Sequence, residues 1–361
     1  MTENKDIQLQ TDLFTVGRDS SQYSYNVNYF QKYYLPLILK SWPVFVYAII
    51  ISVESIFIEF LTNFLHLPPV LLSAISITLG GLLLLLVKYF IIDNKHTTKR
   101  EATIFSISKM NLLYASLALA VGVSTWYDSV SRIGASKEVL LAGPLEVVLI
   151  VLLARMFLKE RLDTIQIAGV IIAITGFFIA LLSDVNSIER VVKTSSEPII
   201  TFGDIEAIIS AFGFALGVLF LTKLVSKHSS IEVAGASLLL SGILIGVLLL
   251  FSFQDLAISS QLSPAQAPRT IIILILFSLL PFVGALSYSV GLSRIGAALT
   301  GTIGASNIVI TLAGQITLRE LGIMASHLPE NILFAILGSL LGFCGIVIIH
   351  MREYYYSPIT K

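Results

Sequence analysis

The chain is short of almost everything that a water-soluble protein of its size uses to make a surface. Charged residues are 13% of its 361 residues, about half the roughly 25% of a soluble chain. Most of its exterior must therefore face something other than water. Lys+Arg and Asp+Glu balance at 23 each, so there is no basic excess and no nucleic-acid partner is expected. One cysteine, Cys344, leaves no intrachain disulfide. The histidines (His66, His96, His228, His327 and His350) stand at no ligand spacing, so no metal is expected. No glycine-rich phosphate cradle is present, so neither ATP nor another cofactor is expected.

Apolar residues, by contrast, fill 55% of the chain. They gather in unbroken runs of about the 20-residue length that crosses a bilayer. Unbroken runs mean helices, since membrane strands would alternate. The runs predict ten spans, at 42–64, 69–92, 108–130, 135–157, 162–183, 204–226, 231–253, 270–292, 296–318 and 331–350. Residues 1–41 form a polar tail without an early apolar core, so no cleaved signal is expected. Residues 184–203 read as a linker and 351–361 as a second tail. An N-terminus in the cytoplasm puts 17 of the 23 basic residues on the inner side, which predicts both termini inside and, with it, a cell-membrane location.

The sequence repeats itself. Ser131-Arg132-Ile133-Gly134-Ala135 recurs as Ser293-Arg294-Ile295-Gly296-Ala297, Leu158-Lys159-Glu160 is echoed by Leu318-Arg319-Glu320, and Gly169 and Gly176 by Gly338 and Gly345. The two copies, 42–183 and 204–350, hold five spans each. An odd number turns the second copy upside down, with Arg132 outside and Arg294 inside. Inverted repeats with a site at their interface are a transporter architecture.

Pro144, the apolar run to Leu158-Lys159-Glu160, Gln166, Gly169 and Gly176 resemble the EamA-type repeat of the drug/metabolite transporter superfamily. The resemblance covers about residues 42–350. It implies two inverted five-helix halves around a cavity lined by spans 3, 4, 8 and 9, and substrates such as amino acids, other small metabolites, nucleotide sugars or sugar phosphates. The second copy departs from it with Ser306 in the place of Pro144.

Ionisable residues inside a membrane are candidate functional groups. Span 1 carries Glu54 and Glu59, and span 4 carries Lys137, Glu138 and Glu146. Glu54 and Glu146 fall at similar midplane depths, and Pro144, two residues before Glu146, disrupts the helical ladder there. Pro281 is placed to bend span 8. The repeat maps Glu146 onto Asn307 in span 9, while Tyr114 and Tyr288 are candidates for the cavity wall. Two readings stand side by side. In one, Glu146 or Glu54 carries a proton or a substrate amine. In the other, Lys137 neutralises Glu59 or Glu138, and Glu54 and Asn307 bond neighbouring helices. Trp42, Trp126, Tyr127 and Tyr288 read as interface anchors. Three Gly-x-x-x-Gly pairs (Gly213/Gly217, Gly242/Gly246, Gly338/Gly342) read as intramolecular packing faces. Residues 23–41, rich in tyrosine, read either as an interfacial helix or as a disordered tail.

The expected function is secondary active transport of a small polar metabolite such as an amino acid or amine, by alternating access, with proton coupling possible and no enzyme activity. Within the same fold a nucleotide-sugar or sugar-phosphate exchanger is the alternative, although only Lys137 offers a deep cation. A membrane transferase acting on a lipid-linked substrate is the alternative of another class.

Overall fold

The computed structural model describes residues 35–92, 108–158, 164–183, 200–250, 267–323, 328–329 and 331–356. These residues are helical, without strands among them. In chain order the helices are α1 (Leu35–Phe64), α2 (Pro69–Val87, continued by a π turn over Lys88–Ile92), α3 (Lys109–Ile133), α4 (Ala135–Leu158) and α5 (Thr164–Leu181). There follow α6 (Phe202–Val225), α7 (Ser230–Leu250), α8 (Ala267–Phe277), α9 (Leu279–Gly304), α10 (Asn307–Glu320) and α11 (Ile332–Tyr356). By contacts the chain divides into Met1–Trp42 and Pro43–Lys361. Of the first unit only the opening turns of α1 are described, so the expectation for residues 23–41 lies almost wholly outside the described residues, as do the linker, Lys159 and Glu160.

Local chemistry sets the helix ends. Pro69 opens α2, where a missing N–H costs nothing. Thr201 and Asp204 form a reciprocal capping box at the start of α6, with Thr201 N–H donating to Asp204 Oδ2 at 2.8 Å. Gly134 separates α3 from α4 at φ 84°, and Gly296 breaks α9 at φ 79°. Both angles belong to the left-handed half of backbone space, where a side chain is strained and glycine is not. Ser278 separates α8 from α9, and Pro281, lacking an N–H, leaves the Phe277 carbonyl without its usual helical donor.

Seven helical segments among the described residues are long and apolar enough to cross a membrane. They belong to α1, α2, α5, α6, α7, the α8–α9 run and α11. Large apolar side chains such as Ile171, Phe178, Ile271 and Leu333 stand exposed along them, which suits lipid and not water. The chain is an integral, multi-pass membrane protein. The remaining segments, α3, α4 and residues 297–320, were counted in the ten expected spans but are more polar or shorter. The start of α4 explains why: residues 134–142 are almost all buried by protein, and a helix shielded from lipid does not need an apolar surface.

Helix pairs meet at glycines. Because lipid tails are as apolar as leucine, close backbone contact replaces hydrophobic drive. A Cβ on Gly176 of α5 would lie 2.3 Å from the Gly342 nitrogen of α11, one on Gly213 of α6 would lie 2.6 Å from Gly122 of α3, and one on Gly81 of α2 would lie 2.4 Å from Leu239 of α7. Gly143 of α4 faces Ile308 of α10, and Gly291 of α9 faces Val44 of α1. Gly246 departs from the expected packing faces: nothing lies within 4 Å of where its Cβ would be.

Lys88, where the π turn continues α2, forms a buried ion pair with Glu232 of α7 at 2.5 Å. Glu232 Oε1 has no hydrogen-bond partner, so the lysine is its main compensation. Lys88→Met is expected to cost about 3–5 kcal/mol by stranding that carboxylate. The double variant Lys88→Met/Glu232→Gln should recover most of the loss, and melting of the three purified proteins checks both statements.

Candidate functional site

Breaking the chain at Gly134 frees the first N–H groups of α4 inside the protein, where they need acceptors. Glu59 of α1 supplies one: its Oε2 accepts from Ala135 N–H at 2.8 Å and from the Gln315 amide of α10. Gln315 Oε1 in turn accepts from Ser136 N–H at 2.7 Å. A fully buried carboxylate thus sits on the positive end of a helix, and Glu59 joins α1, α4 and α10 instead of facing open space.

The same end holds the other charges of α4. Lys137, which one of the two readings set against Glu59 or Glu138, pairs with Asp204 of α6 at 2.8 Å. Asp204 is fixed there by its capping box, which aims its second oxygen at the lysine. Glu138 takes hydrogen bonds from the Trp126 indole and from Ser210 Oγ, the latter at 3.5 Å. Arg132 pairs with Asp128 and with Glu206, both at 3.1 Å, and stacks over the Phe202 ring. Every charge in this layer has a protein partner.

One turn and more further along α4 the picture changes. A cavity opens between α1, α2, α3, α4, α6, α7 and α9. Glu54 and Glu146 both line it, and among the described residues no lysine, arginine or histidine does. Glu54 is almost wholly buried and accepts from Tyr127 OH at 2.7 Å, and Tyr127 is itself 3.2 Å from Ser76 Oγ. Glu146 is partly exposed to the cavity, and no hydrogen bond or ion pair reaches it among the described residues. Two aromatic pairs complete the wall: Tyr47 with Tyr288, ring centroids 4.7 Å apart, and Trp126 with Phe214, 5.9 Å apart. The remainder is mainly aliphatic, with Ser237 and Ser289 as small polar groups.

Of the residues singled out in the sequence, Glu54, Glu146, Tyr288 and Pro281 share this cavity, while Glu59, Lys137 and Glu138 belong to the layer beside it. Three expectations are corrected. Tyr114 stands outside the lining, 45% exposed and 5.5 Å from the Phe220 ring. Asn307 is not in the lining either: it begins α10, its carbonyl accepts from Ser52 Oγ at 3.2 Å, and its buried Oδ1 has no partner among the described residues. Trp126 and Tyr127, expected as interface anchors, are both buried, Trp126 in the cavity lining and Tyr127 behind it, bonded to Glu54. Pro144 lies within the continuous α4, its ring against Gly342 of α11. Sequence reading also missed Tyr47, Phe214, Asp204 and Gln315. Only Asp204 carried a usable signal, the Thr201-x-x-Asp204 capping pattern.

Among solved structures, one described as "Crystal structure of protein" superposes with a TM-score of 0.55 at 15% sequence identity, covering 88% of this chain and 97% of its own. At that identity the likeness shows the fold alone. No curated protein matches the chain. The model of the EamA-like transporter family matches residues 39–182 and again 201–321. The two matches cover most of the chain and fall on the two copies of its internal repeat, so the chain belongs to the EamA-like transporter family, whose members are membrane transporters.

Proposed function

We propose that the protein is a secondary active transporter that moves a small polar metabolite, such as an amino acid or an amine, by alternating access around the cavity. The observation that carries this reading is the carboxylate of Glu146, which no hydrogen bond or ion pair reaches among the described residues, held beside Glu54 in a largely apolar cavity. Leaving a carboxylate there without a partner is costly, and a proton or a substrate amine relieves the cost. Glu146 is the group that takes either one, and Glu54, steadied by Tyr127, is its neighbour.

Alternation requires two halves, and two features support an inverted ten-span arrangement. The repeat-related glycines Gly134 and Gly296 share one backbone conformation, φ 84° with ψ 157° against φ 79° with ψ 170°. The helix pairs are also those that a two-fold axis in the membrane plane makes: α2 with α7, α4 with α10 and α5 with α11 across the axis, and α3–α6 matched by α9–α1. Ten spans follow when α8 with the first part of α9 is one span and residues 297–320 are the next. The charge split supports both termini on the cytoplasmic side of the cell membrane. A sugar-phosphate or nucleotide-sugar substrate fits less well, because Lys137, the one deep cation considered, is held by Asp204 outside the cavity.

Purified protein in sealed vesicles should exchange or accumulate a metabolite under a substrate or proton gradient with no ATP present. Flux that appears only with ATP would overturn the reading.

A further inference from the structure

The charge pattern of the cavity narrows the class of molecule that it takes. An amino acid brings a carboxylate as well as an amine, and the carboxylate needs a donor or a positive charge once water is removed. No positive charge is built into the wall: among the described residues no lysine, arginine or histidine lines it. The donors it offers are the neutral hydroxyls of Tyr47, Tyr288 and Ser289, since that of Ser237 is given to the Ala234 carbonyl. The start of α9 reaches the cavity through Pro281, which has no N–H, and the next N–H, that of Phe282, is already bonded to the Ser278 carbonyl. A helix start that would otherwise hold an anion is thereby closed. The two carboxylates, Glu54 and Glu146, repel any anion that enters.

What the wall does offer suits the opposite charge. Glu146 has no hydrogen-bond or ion-pair partner, and Glu54, almost wholly buried, is bonded at Oε1 alone among the described residues. Tyr47, Trp126, Phe214 and Tyr288 bring four aromatic rings to the same space, and aromatic faces attract cations. Ile51, Val123 and Leu238 supply apolar area for a hydrocarbon body. We infer that the cavity selects an organic cation with an apolar body, such as an aromatic or aliphatic amine, over zwitterionic amino acids and over anions. The inference deepens the transporter reading and rests on it for its physiological meaning, but ligand binding tests it directly.

Three ligands separate the cases, because phenethylamine, phenylalanine and 3-phenylpropionate share one aromatic body and differ in charge. Binding to the purified full-length protein in lipid nanodiscs is measured by calorimetry, together with melting. Phenethylamine should bind at least about tenfold more tightly than phenylalanine, with 3-phenylpropionate weaker still, and Glu146→Gln should weaken the amine by about tenfold or more. The inference is overturned by phenylalanine or the acid binding as tightly as the amine, by unchanged amine affinity in a folded Glu146→Gln protein, or by no amine binding up to about 10 mM. Should Glu146→Gln fail to fold, the wild-type ranking still decides. Vesicles that carry phenylalanine and not phenethylamine overturn this inference and leave the transporter reading intact. Preferred amine binding without flux of any of the three does the reverse.

Discussion

Glu146→Gln is expected to reduce transport to the level of empty vesicles while the protein melts no lower than the wild type. The substitution removes the charge but keeps the size of the side chain and its capacity to hydrogen-bond. No hydrogen bond or ion pair reaches Glu146 among the described residues, so folding has no contact to lose, and removing an unpartnered charge should leave stability unchanged or raise it. A neutral amide can neither take up a proton nor balance a substrate amine, which is why transport should fail. Flux and melting measured on the same preparation separate this account from a structural role, for which the variant would transport normally and melt lower. Glu59→Gln sets the contrast. That carboxylate bonds the start of α4 and Gln315, and an amide brings its own N–H groups into a place that needs only acceptors.

Gly176→Leu should be the most damaging single change in the helix packing. A Cβ at this position would lie 2.3 Å from the Gly342 nitrogen, 2.7 Å from the Gly338 oxygen and 2.8 Å from the Gly342 Cα. All three are backbone atoms, which a rotamer change cannot move aside, so α5 and α11 must separate. Over-packing ordinarily costs about 1–3 kcal/mol, and a leucine here should reach or pass the upper end of that range. Yield and melting temperature in detergent read the effect. Gly246→Ala is the control: its new methyl meets nothing within 4 Å, and alanine favours a helix over glycine by about 1 kcal/mol, so stability should hold or rise.

The apolar runs and the internal repeat were legible from the sequence because each rests on local chemistry or on self-comparison, while the breaks at Gly134 and Gly296 emerge from the backbone. Gly134 and Gly296 stand in the same five-residue phrase and adopt the same backbone. Glu54 and Glu146 were legible as candidates because a charge in an apolar run is conspicuous on its own. What each charge touches was not legible. Lys137 finds Asp204 across a gap of 67 positions, and Glu59 finds Gln315 across 256, distances over which spacing carries no information. Trp126 illustrates the opposite error. An aromatic near a span end usually marks a membrane interface, but α3 is packed on its neighbours there and the ring turns into the cavity wall. Asn307 shows the limit of the repeat: its offset matches Glu146, but the turn at Ala305–Ser306 interrupts the second copy just before it, where the first copy runs through Pro144 as continuous helix.

The account stands on two halves that face opposite ways around one cavity, and the side from which each half can be reached tests this most directly. Ser131 and Ser293 are repeat-related, and their hydroxyls bond only carbonyls of their own helices, so Ser131→Cys and Ser293→Cys perturb little in a Cys344→Ser background. With a membrane-impermeant thiol reagent applied to intact cells, the cysteine at 131 should react and the one at 293 should react only after the membrane is opened. Labelling of both positions from the same side would contradict the inverted arrangement and, with it, the alternating-access mechanism.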